Sequence, residues 1–157
     1  MRVALGSDDK TAFTDALVDE LQRRGHEVQM SGPLAGRTQA WPDVGRAVAM
    51  AVASGRAQLG IVCCYTGTGV SIAANKVRGV RAALCHDAVT AAGARQWNDA
   101  NVLALSLRTT TIDVAREILD AWFAASCPAQ ERACVERLNA MDAMGAIDAI
   151  DAINATS

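Results

Sequence analysis

Short apolar runs and longer amphipathic segments alternate along most of the chain. The apolar runs predict strands at residues 2–5, 27–30, 58–63, 80–85 and 102–105. The segments that follow them carry apolar residues at helical spacing and predict helices at residues 11–24, 42–54, 70–76, 88–96 and 111–123. Gly25 and Gly55 follow the first two helices, as glycine commonly does beyond a helix C-terminus.

This alternation predicts an α/β protein, because successive β-α units form a parallel sheet with helices on both faces. We expect a single-domain, Rossmann-like three-layer sandwich with a five-stranded parallel sheet. A further helical pattern at residues 129–144 predicts a C-terminal helical extension. We assign residues 1–145 to the domain and residues 146–157 to a tail, for which packing on a second subunit is favoured over fraying.

The loops beyond the carboxyl ends of the strands are where such sheets bind ligands. One of them, CYTGTG at residues 64–69, follows an uninterrupted apolar strand and opens a helix. Gly67 and Gly69 can adopt positive φ and let a ligand approach the backbone. The N–H groups at the start of a helix attract anions. The loop is therefore a candidate site for phosphate or for an enediolate oxygen.

Cys64 begins this loop, and two interpretations of it fit the pattern equally well. The positive partial charge at a helix start stabilises a thiolate, which makes Cys64 a candidate nucleophile or base. Free cysteine is also among the most buried residue types, so Cys64 can equally be a small hydrophobe in an ordinary turn.

Composition argues against several classes of function. The net charge is −2 without a basic stripe, which argues against nucleic acid as the main partner. No apolar run approaches the roughly 20 residues that span a bilayer, and the N-terminus MRVALGSDD does not resemble a signal peptide. The absence of such a run predicts that the protein has no membrane partner. The 5 cysteines are an odd number without CxxC spacing, which indicates reduced thiols in the cytoplasm.

The sequence does not match the common motifs for dinucleotide and phosphate binding. The first turn reads GSDDKT, which is not the GxGxxG of dinucleotide-binding proteins, and TGTGVS lacks the Gly-Lys-Ser/Thr of a Walker loop. The two histidines, His26 and His86, stand in different segments, so no metal site is predicted. Proton transfer in a hydroxy-carbonyl compound fits better and needs no cofactor, only a base, donors for the enediolate oxygens and a cation for a distal anion.

Several blocks of the sequence resemble the ribose-5-phosphate isomerase B and galactose-6-phosphate isomerase group. That family's core reads roughly Cys-Gly-Thr-Gly-x-Gly-x-Ser-Ile-Ala-Ala-Asn-Lys, and residues 64–76 read CYTGTGVSIAANK. Further matches are GSD after the first strand, WPD for Tyr-Pro-Asp, VRGVRAALCHD, and NDANVLALSLR. The similarity covers most of residues 1–140, and it implies an aldose-ketose isomerase of sugar phosphates that forms a dimer or tetramer with shared active sites.

The resemblance also implies roles for individual residues. Cys64 corresponds to the cysteine that abstracts a proton, whereas some members carry a glutamate at the position of Val70. Thr66 corresponds to the threonine that helps to open the sugar ring. The residues that correspond to substrate- and phosphate-binding positions are Asp8, Gly67, Thr68, Gly69, Asn98, Arg108 and Arg137.

At several positions the chain departs from the family pattern. The second residue of the Asp-His pair is Asp9, a change for which Lys10 could compensate. The histidine credited with ring opening is Trp97, and the glycine after the catalytic cysteine is Tyr65. The family pairs two arginines four residues apart near the C-terminus. Here Arg137 fits the second, Ala133 stands at the first, and Arg132 is one position away.

These departures predict a short or open-chain substrate, such as a tetrulose phosphate, rather than ribose 5-phosphate. A substrate that is already open needs no ring-opening acid at Trp97, and Tyr65 adds bulk near the expected pocket. Packing in the core or at an interface is the alternative for both aromatic residues. Two alternatives for the whole chain are a non-catalytic partner subunit that binds sugar phosphates and an isomerase of a non-phosphorylated sugar, since Asp9 would repel a dianion.

Overall fold

The computed structural model describes residues 1–142, which form one sheet between two layers of helices. The strands are β1 (Arg2–Ser7), β2 (Glu27–Ser31), β3 (Leu59–Cys64), β4 (Ala82–Leu84) and β5 (Val102–Ser106). The helices are α1 (Ala12–Arg23), α2 (Trp41–Ala53), α3 (Thr68–Ala74), α4 (Ala88–Asn98), α5 (Ile112–Ala124) and α6 (residues 132–142). Within this range no helix has both the length and the apolar character that crossing a membrane requires.

The described residues confirm the predicted fold class. Neighbouring strands are all parallel and lie in the order β2-β1-β3-β5-β4. The C-terminal helical extension is confirmed as far as residue 142, with a 3-10 turn at Ala129–Glu131 before α6. The predicted tail at residues 146–157, and with it the predicted domain boundary, lies outside the described residues.

The predicted starts of β4 and α3 are each wrong by two residues. Strand β4 begins at Ala82 rather than at residue 80, because the Arg81 N–H donates to the side chain of Asn101 (2.8 Å) instead of to a strand. Helix α3 begins at Thr68 rather than at residue 70, because Gly67 takes φ 76° and turns the chain directly into the helix. The second difference brings the helix start closer to Cys64.

Side-chain caps fix where the helices next to the site edge begin. Thr11 and Thr14 form a capping box at the start of α1, with N–H to hydroxyl distances of 2.9 and 3.3 Å. Asp87 accepts a hydrogen bond from the Thr90 N–H (2.7 Å) at the start of α4, and Thr111 caps α5. Because each helix follows a strand, these starts lie at the carboxyl edge of the sheet.

The order of strands reverses between β1 and β3. The chain first places β2 on one side of β1 and then places β3 on the other, in a register from Val3↔Leu59 to Ser7↔Cys63. In open parallel sheets the crevice beyond the carboxyl ends of such a pair is the preferred ligand site. The residues that follow these two ends are Asp8 and Tyr65, with Cys64 as the last residue of β3.

The two faces of the sheet have different side chains. On the face covered by α1, α4 and α5, here called the α5 face, the strands contribute mainly large residues: Val3, Leu5, Ile61, Cys63, Leu103 and Leu105. On the face covered by α2 and α3, here called the α2 face, they contribute smaller ones: Ala4, Val62, Cys64, Val102 and Ala104. Each strand supplies both faces because successive side chains point to opposite sides.

Helix α2 packs directly on the backbone of the sheet. A Cβ at Gly60 would lie only 2.7 Å from Cγ1 of Val48 and 3.0 Å from Cγ2 of Val102. Only glycine therefore permits this approach of α2 to β3. The approach matters for the site because α2 begins with Trp41, at the carboxyl edge of the sheet.

Candidate active site

A cavity of about 330 Å³ lies at the carboxyl ends of β1 and β3, on the α2 face. Six predicted site residues line it together with one that was not predicted: Asp8, Cys64, Tyr65, Thr66, Thr68, Gly69 and Trp41. A larger cavity, of about 450 Å³, lies between α6 and β4, but its lining includes no thiol. The smaller cavity is therefore the candidate active site.

Cys64 and its neighbour Cys63 occupy opposite faces of the sheet. Cys64 lines the cavity and is 6% exposed, whereas Cys63 is completely buried on the α5 face. Burial, with smaller contributions from the nearby Cys64 and Asp8, raises the pKa of the Cys63 thiol far above its ordinary value. Cys64 thus has access to a ligand and Cys63 does not.

The loop after Cys64 is held tightly against the neighbouring strand. The Gly67 N–H donates to the carbonyl of Cys64 (3.2 Å), which closes a tight turn. Gly67 has φ 76°, and a Cβ there would lie 2.6 Å from Leu84 and 2.9 Å from the backbone of Leu105. The turn leads directly into α3, whose first N–H groups have no acceptor within the helix. These groups are oriented toward the end of the sheet where the cavity lies.

Two hydroxyl groups face each other at the cavity. Thr66 Oγ1 and Thr68 Oγ1 are 2.7 Å apart, and either can donate to the other. Each hydroxyl can also donate to, or accept from, a bound oxygen atom. The pair can therefore deliver a hydrogen bond to a substrate oxygen without leaving the other hydroxyl unpaired.

Asp8 brings a carboxyl group to the cavity from the end of β1. Partial burial and, to a smaller extent, the negative charge of Asp9 raise its pKa above the ordinary value. Asp9 itself turns back, and its N–H donates to the Ser7 hydroxyl (3.3 Å). A carboxyl group in this position can bind hydroxyl groups of a polar ligand.

The loop after β5 is attached to the loop after β3. The Leu107 N–H donates to the Cys64 carbonyl and the Arg108 N–H to the Tyr65 carbonyl, both at 3.0 Å. The hydroxyl of Ser106, a buried residue, also donates to the Tyr65 carbonyl (3.0 Å). Ser106 was not predicted to contribute; the available signal was a serine at the end of an otherwise apolar strand.

Trp41 is a second residue that sequence reasoning missed. Its ring lies over Gly69, where a Cβ would come within 3.0 Å of the indole, and it lines the cavity beside Cys64. The signal was present in WPD, since a residue before proline at a helix start lies at the carboxyl edge of this sheet. Trp41 and Tyr65 both add aromatic surface to a small cavity.

Several other predicted site residues do not line this cavity. Lys10 pairs with Asp15 (3.6 Å), and Trp97 lines a shallow groove on α4 with its ring over Gly93. The remaining positions are separate from Cys64: Asn98 lines the cavity beneath α6, Arg132 lines a cavity with Arg95 and Asp99, and Arg137 is exposed on α6. Among residues 1–142, no cluster of three His, Cys, Asp or Glu side chains could hold a metal ion.

The chain is similar to known proteins over nearly all of the residues that the structure describes. A profile of the Ribose/Galactose Isomerase family matches residues 3–141. The chain belongs to this family. The match covers the whole sheet, the cavity and α6, and it confirms the class of enzyme that the resemblance implied, an isomerase of sugar phosphates.

Individual members of the family support the same conclusion. The D-erythrulose-4-phosphate isomerase of Pectobacterium atrosepticum is 39% identical over 127 residues, 80% of this chain and 84% of that protein. The ribose-5-phosphate isomerase B of Escherichia coli is 42% identical over 109 residues, 69% of this chain and 73% of that protein. The structure of Clostridium thermocellum ribose-5-phosphate isomerase B superposes with a TM-score of 0.86 at 38% identity and covers 92% of this chain and 99% of that one.

Proposed function

We propose that this isomerase interconverts a short-chain aldose phosphate and the corresponding ketose phosphate, with a tetrulose phosphate as the ketose and Cys64 as the base. The observation that carries the proposal is the position of Cys64. It is a single accessible thiol in a cavity of about 330 Å³, together with a hydroxyl pair, a carboxyl group and two aromatic side chains.

The reaction needs only the groups around the cavity. The Cys64 thiolate removes the proton from C2 of the open-chain aldose, and the electron pair moves into a C1–C2 double bond and onto O1. The hydroxyls of Thr66 and Thr68 and the first N–H groups of α3 donate hydrogen bonds to the resulting enediolate. Cys64 returns the proton at C1 while the O2 proton passes to O1, which leaves a ketone at C2. Asp8 binds the hydroxyl groups farther along the chain.

Three features favour a four-carbon substrate. A tetrose phosphorylated on O4 cannot close a furanose ring, because the oxygen that would close it carries the phosphate. Such a substrate needs no ring-opening histidine, and this chain carries Trp97 at that position. Trp41 and Tyr65 also occupy space at the cavity, and the relative from Pectobacterium atrosepticum is named for a tetrulose phosphate.

The phosphate group of the substrate is bound by Arg108 in this proposal. Arg108 contacts Tyr65, which lines the cavity, whereas Arg132 and Arg137 lie on α6, away from Cys64 of the same chain. We propose that those two arginines, with Trp97 and Asn98, complete the site of a second copy of the chain in a homodimer or tetramer. We also propose that the protein is cytoplasmic.

The test compares turnover of D-erythrose 4-phosphate with that of D-ribose 5-phosphate. We expect kcat/KM to be at least about tenfold higher for the tetrose phosphate, which corresponds to about 1.4 kcal/mol of transition-state binding. Equal or better use of ribose 5-phosphate would overturn the short-chain substrate. A protein that binds sugar phosphates but turns none over would support the partner-subunit alternative, and insensitivity to competing phosphate would support a non-phosphorylated substrate.

A further inference from the structure

Tyr65 and Arg108 contact each other through both backbone and side chain. The Arg108 guanidinium carbon lies 5.9 Å from the centroid of the Tyr65 ring, within the range of a cation–π contact. The Arg108 N–H donates to the Tyr65 carbonyl (3.0 Å). Tyr65 is also the residue that follows Cys64 in the chain. The tyrosine therefore connects the candidate base to the candidate phosphate-binding cation.

The backbone around this pair is held in place. The Ser106 hydroxyl donates to the Tyr65 carbonyl (3.0 Å) and accepts from the Thr109 N–H (3.2 Å), so the loop after β5 closes on itself and on Tyr65. The Leu107 N–H donates to the carbonyl of Cys64 (3.0 Å). The Cα of Arg108 is thus fixed relative to Cys64, and the position of its guanidinium depends mainly on the rotamer of a long, flexible side chain.

The contact with Tyr65 restricts that side chain without neutralising it. An ordered arginine side chain loses up to about 2 kcal/mol of rotamer entropy, which a binding site must supply if the free side chain is mobile. Among residues 1–142 no ion pair involves Arg108, whereas Lys10 is paired with Asp15. An aromatic face leaves the edge donors of the guanidinium available for phosphate oxygens.

We propose that Tyr65 is a positioning residue that holds the Arg108 guanidinium at a fixed distance from the Cys64 thiol, so that the pair selects the chain length of the substrate. This rests on the proposed function, because it assumes that Arg108 binds the substrate phosphate. A fixed cation favours the substrate whose phosphate lies at the matching distance from the reacting carbon. A mobile cation would follow the phosphate of a longer substrate and discriminate less.

Two substitutions separate the aromatic face from the bulk of the side chain. Tyr65→Leu keeps an apolar side chain but removes the π face, and Tyr65→Phe keeps the face but removes the hydroxyl. We expect Tyr65→Leu to raise the dissociation constant of inorganic phosphate about two- to fivefold, the size of an exposed cation–π contact. Tyr65→Phe is expected to restore most of the phosphate affinity. Titration calorimetry measures these constants whether or not the protein is active.

A double-mutant cycle then tests whether Tyr65 acts through Arg108. In the Arg108→Ala background, Tyr65→Leu is expected to change phosphate affinity by less than about 1.5-fold. Arg56→Ala is the matched control, because Arg56 precedes β3 at the opposite edge of the sheet. In that background the full effect of Tyr65→Leu should persist. The same fold-change in both arginine backgrounds, or the same loss in Tyr65→Phe as in Tyr65→Leu, would overturn the positioning role.

Selection by chain length has its own readout. The ratio of kcat/KM for D-erythrose 4-phosphate over D-ribose 5-phosphate is expected to fall about two- to fivefold in Tyr65→Leu and to recover in Tyr65→Phe. An unchanged ratio would refute selection through this pair. The ratio in the unsubstituted enzyme tests the proposed function separately. If that enzyme prefers the tetrose phosphate but the effects of Tyr65→Leu and Arg108→Ala on phosphate affinity are additive, only the role of Tyr65 is contradicted.

Discussion

The α5 face and the α2 face of the sheet are built from the same strands, yet they do different things. On the α5 face, large side chains and Trp122 of α5 leave the strand residues fully buried. On the α2 face, small side chains let α2 approach β3 closely, and the face ends in a cavity with an accessible thiol. Adjacent residues, Cys63 and Cys64, therefore have opposite environments. The difference shows that small residues on one face leave room for a site at its end, while the other face stays closed.

Charged residues near the two faces differ in whether they are paired within the protein. Beyond the α5 face, the buried carboxylate of Glu20 on α1 accepts hydrogen bonds from Arg24 (2.8 Å), Arg116 (3.0 Å) and Arg23. Because Arg116 belongs to α5, its hydrogen bond joins α1 to α5. Although burial opposes ionisation, the hydrogen bonds from Arg116 and Arg24 lower the pKa of Glu20 below its ordinary value. These charges are neutralised within the protein. At the end of the α2 face, Asp8 lines an open cavity, and Arg108 contacts Tyr65, which lines the same cavity.

The largest expected effect comes from replacing Cys64 with alanine. Cys64→Ala should lower kcat about 10³-fold, the usual contribution of a general base, and abolish exchange of substrate hydrogen with solvent deuterium. Phosphate binding should survive, because the loop backbone is unchanged. Cys63→Ala is the matched control, and its kcat should stay within about twofold of the original value. If both variants lost activity equally, Cys64 could not be the base.

Gly67→Ala should have the next largest effect, because it disturbs the loop that carries the donors. A Cβ there would meet the backbone of Leu105 at 2.9 Å, in a backbone conformation that alanine avoids. We expect a loss of about 2 kcal/mol of unfolding free energy and a fall in kcat of about 10- to 100-fold. Urea denaturation and initial rates measure the two effects. Gly36→Ala, at φ 72° with nothing within 4 Å of the new Cβ, separates backbone strain from collision.

A change beyond the α5 face should lower the unfolding free energy but leave kcat unchanged. Glu20→Gln is expected to lower the unfolding free energy at pH 7 by about 2 kcal/mol, because three arginines lose a buried charged acceptor. Since the folded-state pKa of Glu20 is depressed, its contribution is present above the unfolded value of about 4.3 and disappears as the pH falls through the lower folded value. The difference between the two proteins should therefore shrink below about pH 4. A fall in kcat at 25 °C would contradict the division between the faces.

The smallest effect expected is in the order of thiol alkylation. Iodoacetamide should modify the exposed Cys134 first, then the half-buried Cys127, and then Cys64 through the cavity, while Cys63 and Cys85 stay protected in the folded protein. Burial, and to a smaller extent Asp87, raises the pKa of Cys85 to about 11, so its protection should persist up to about pH 10. Peptide mass spectrometry gives the order. Modification of Cys63 before Cys64 would reverse the assignment of faces.

The sequence predicted the elements well where the pattern was strong and less well where side chains outside the pattern intervened. The strand predicted at residues 58–63 agrees with the observed strand, Leu59–Cys64, to within one residue at each end. Strand β4 was predicted too long, because the side chain of Asn101, which is 20 residues away, takes the Arg81 N–H. Hydrogen bonds from distant side chains leave no trace in local periodicity, so their effect on boundaries could not be foreseen.

Local periodicity by itself determined the fold class and the position of Cys64 at a carboxyl edge, because the spacing of apolar residues sets which faces are buried. The resemblance of the Gly-rich segment and its flanking blocks to known isomerases gave the class of enzyme. Only the tertiary structure decided that Trp41 lies over Gly69 and that Arg108 contacts Tyr65. Those contacts join residues far apart in the chain, and they depend on how closely α2 and the loop after β5 pack against β3. Packing distances of that kind follow from the whole core rather than from any single stretch of sequence.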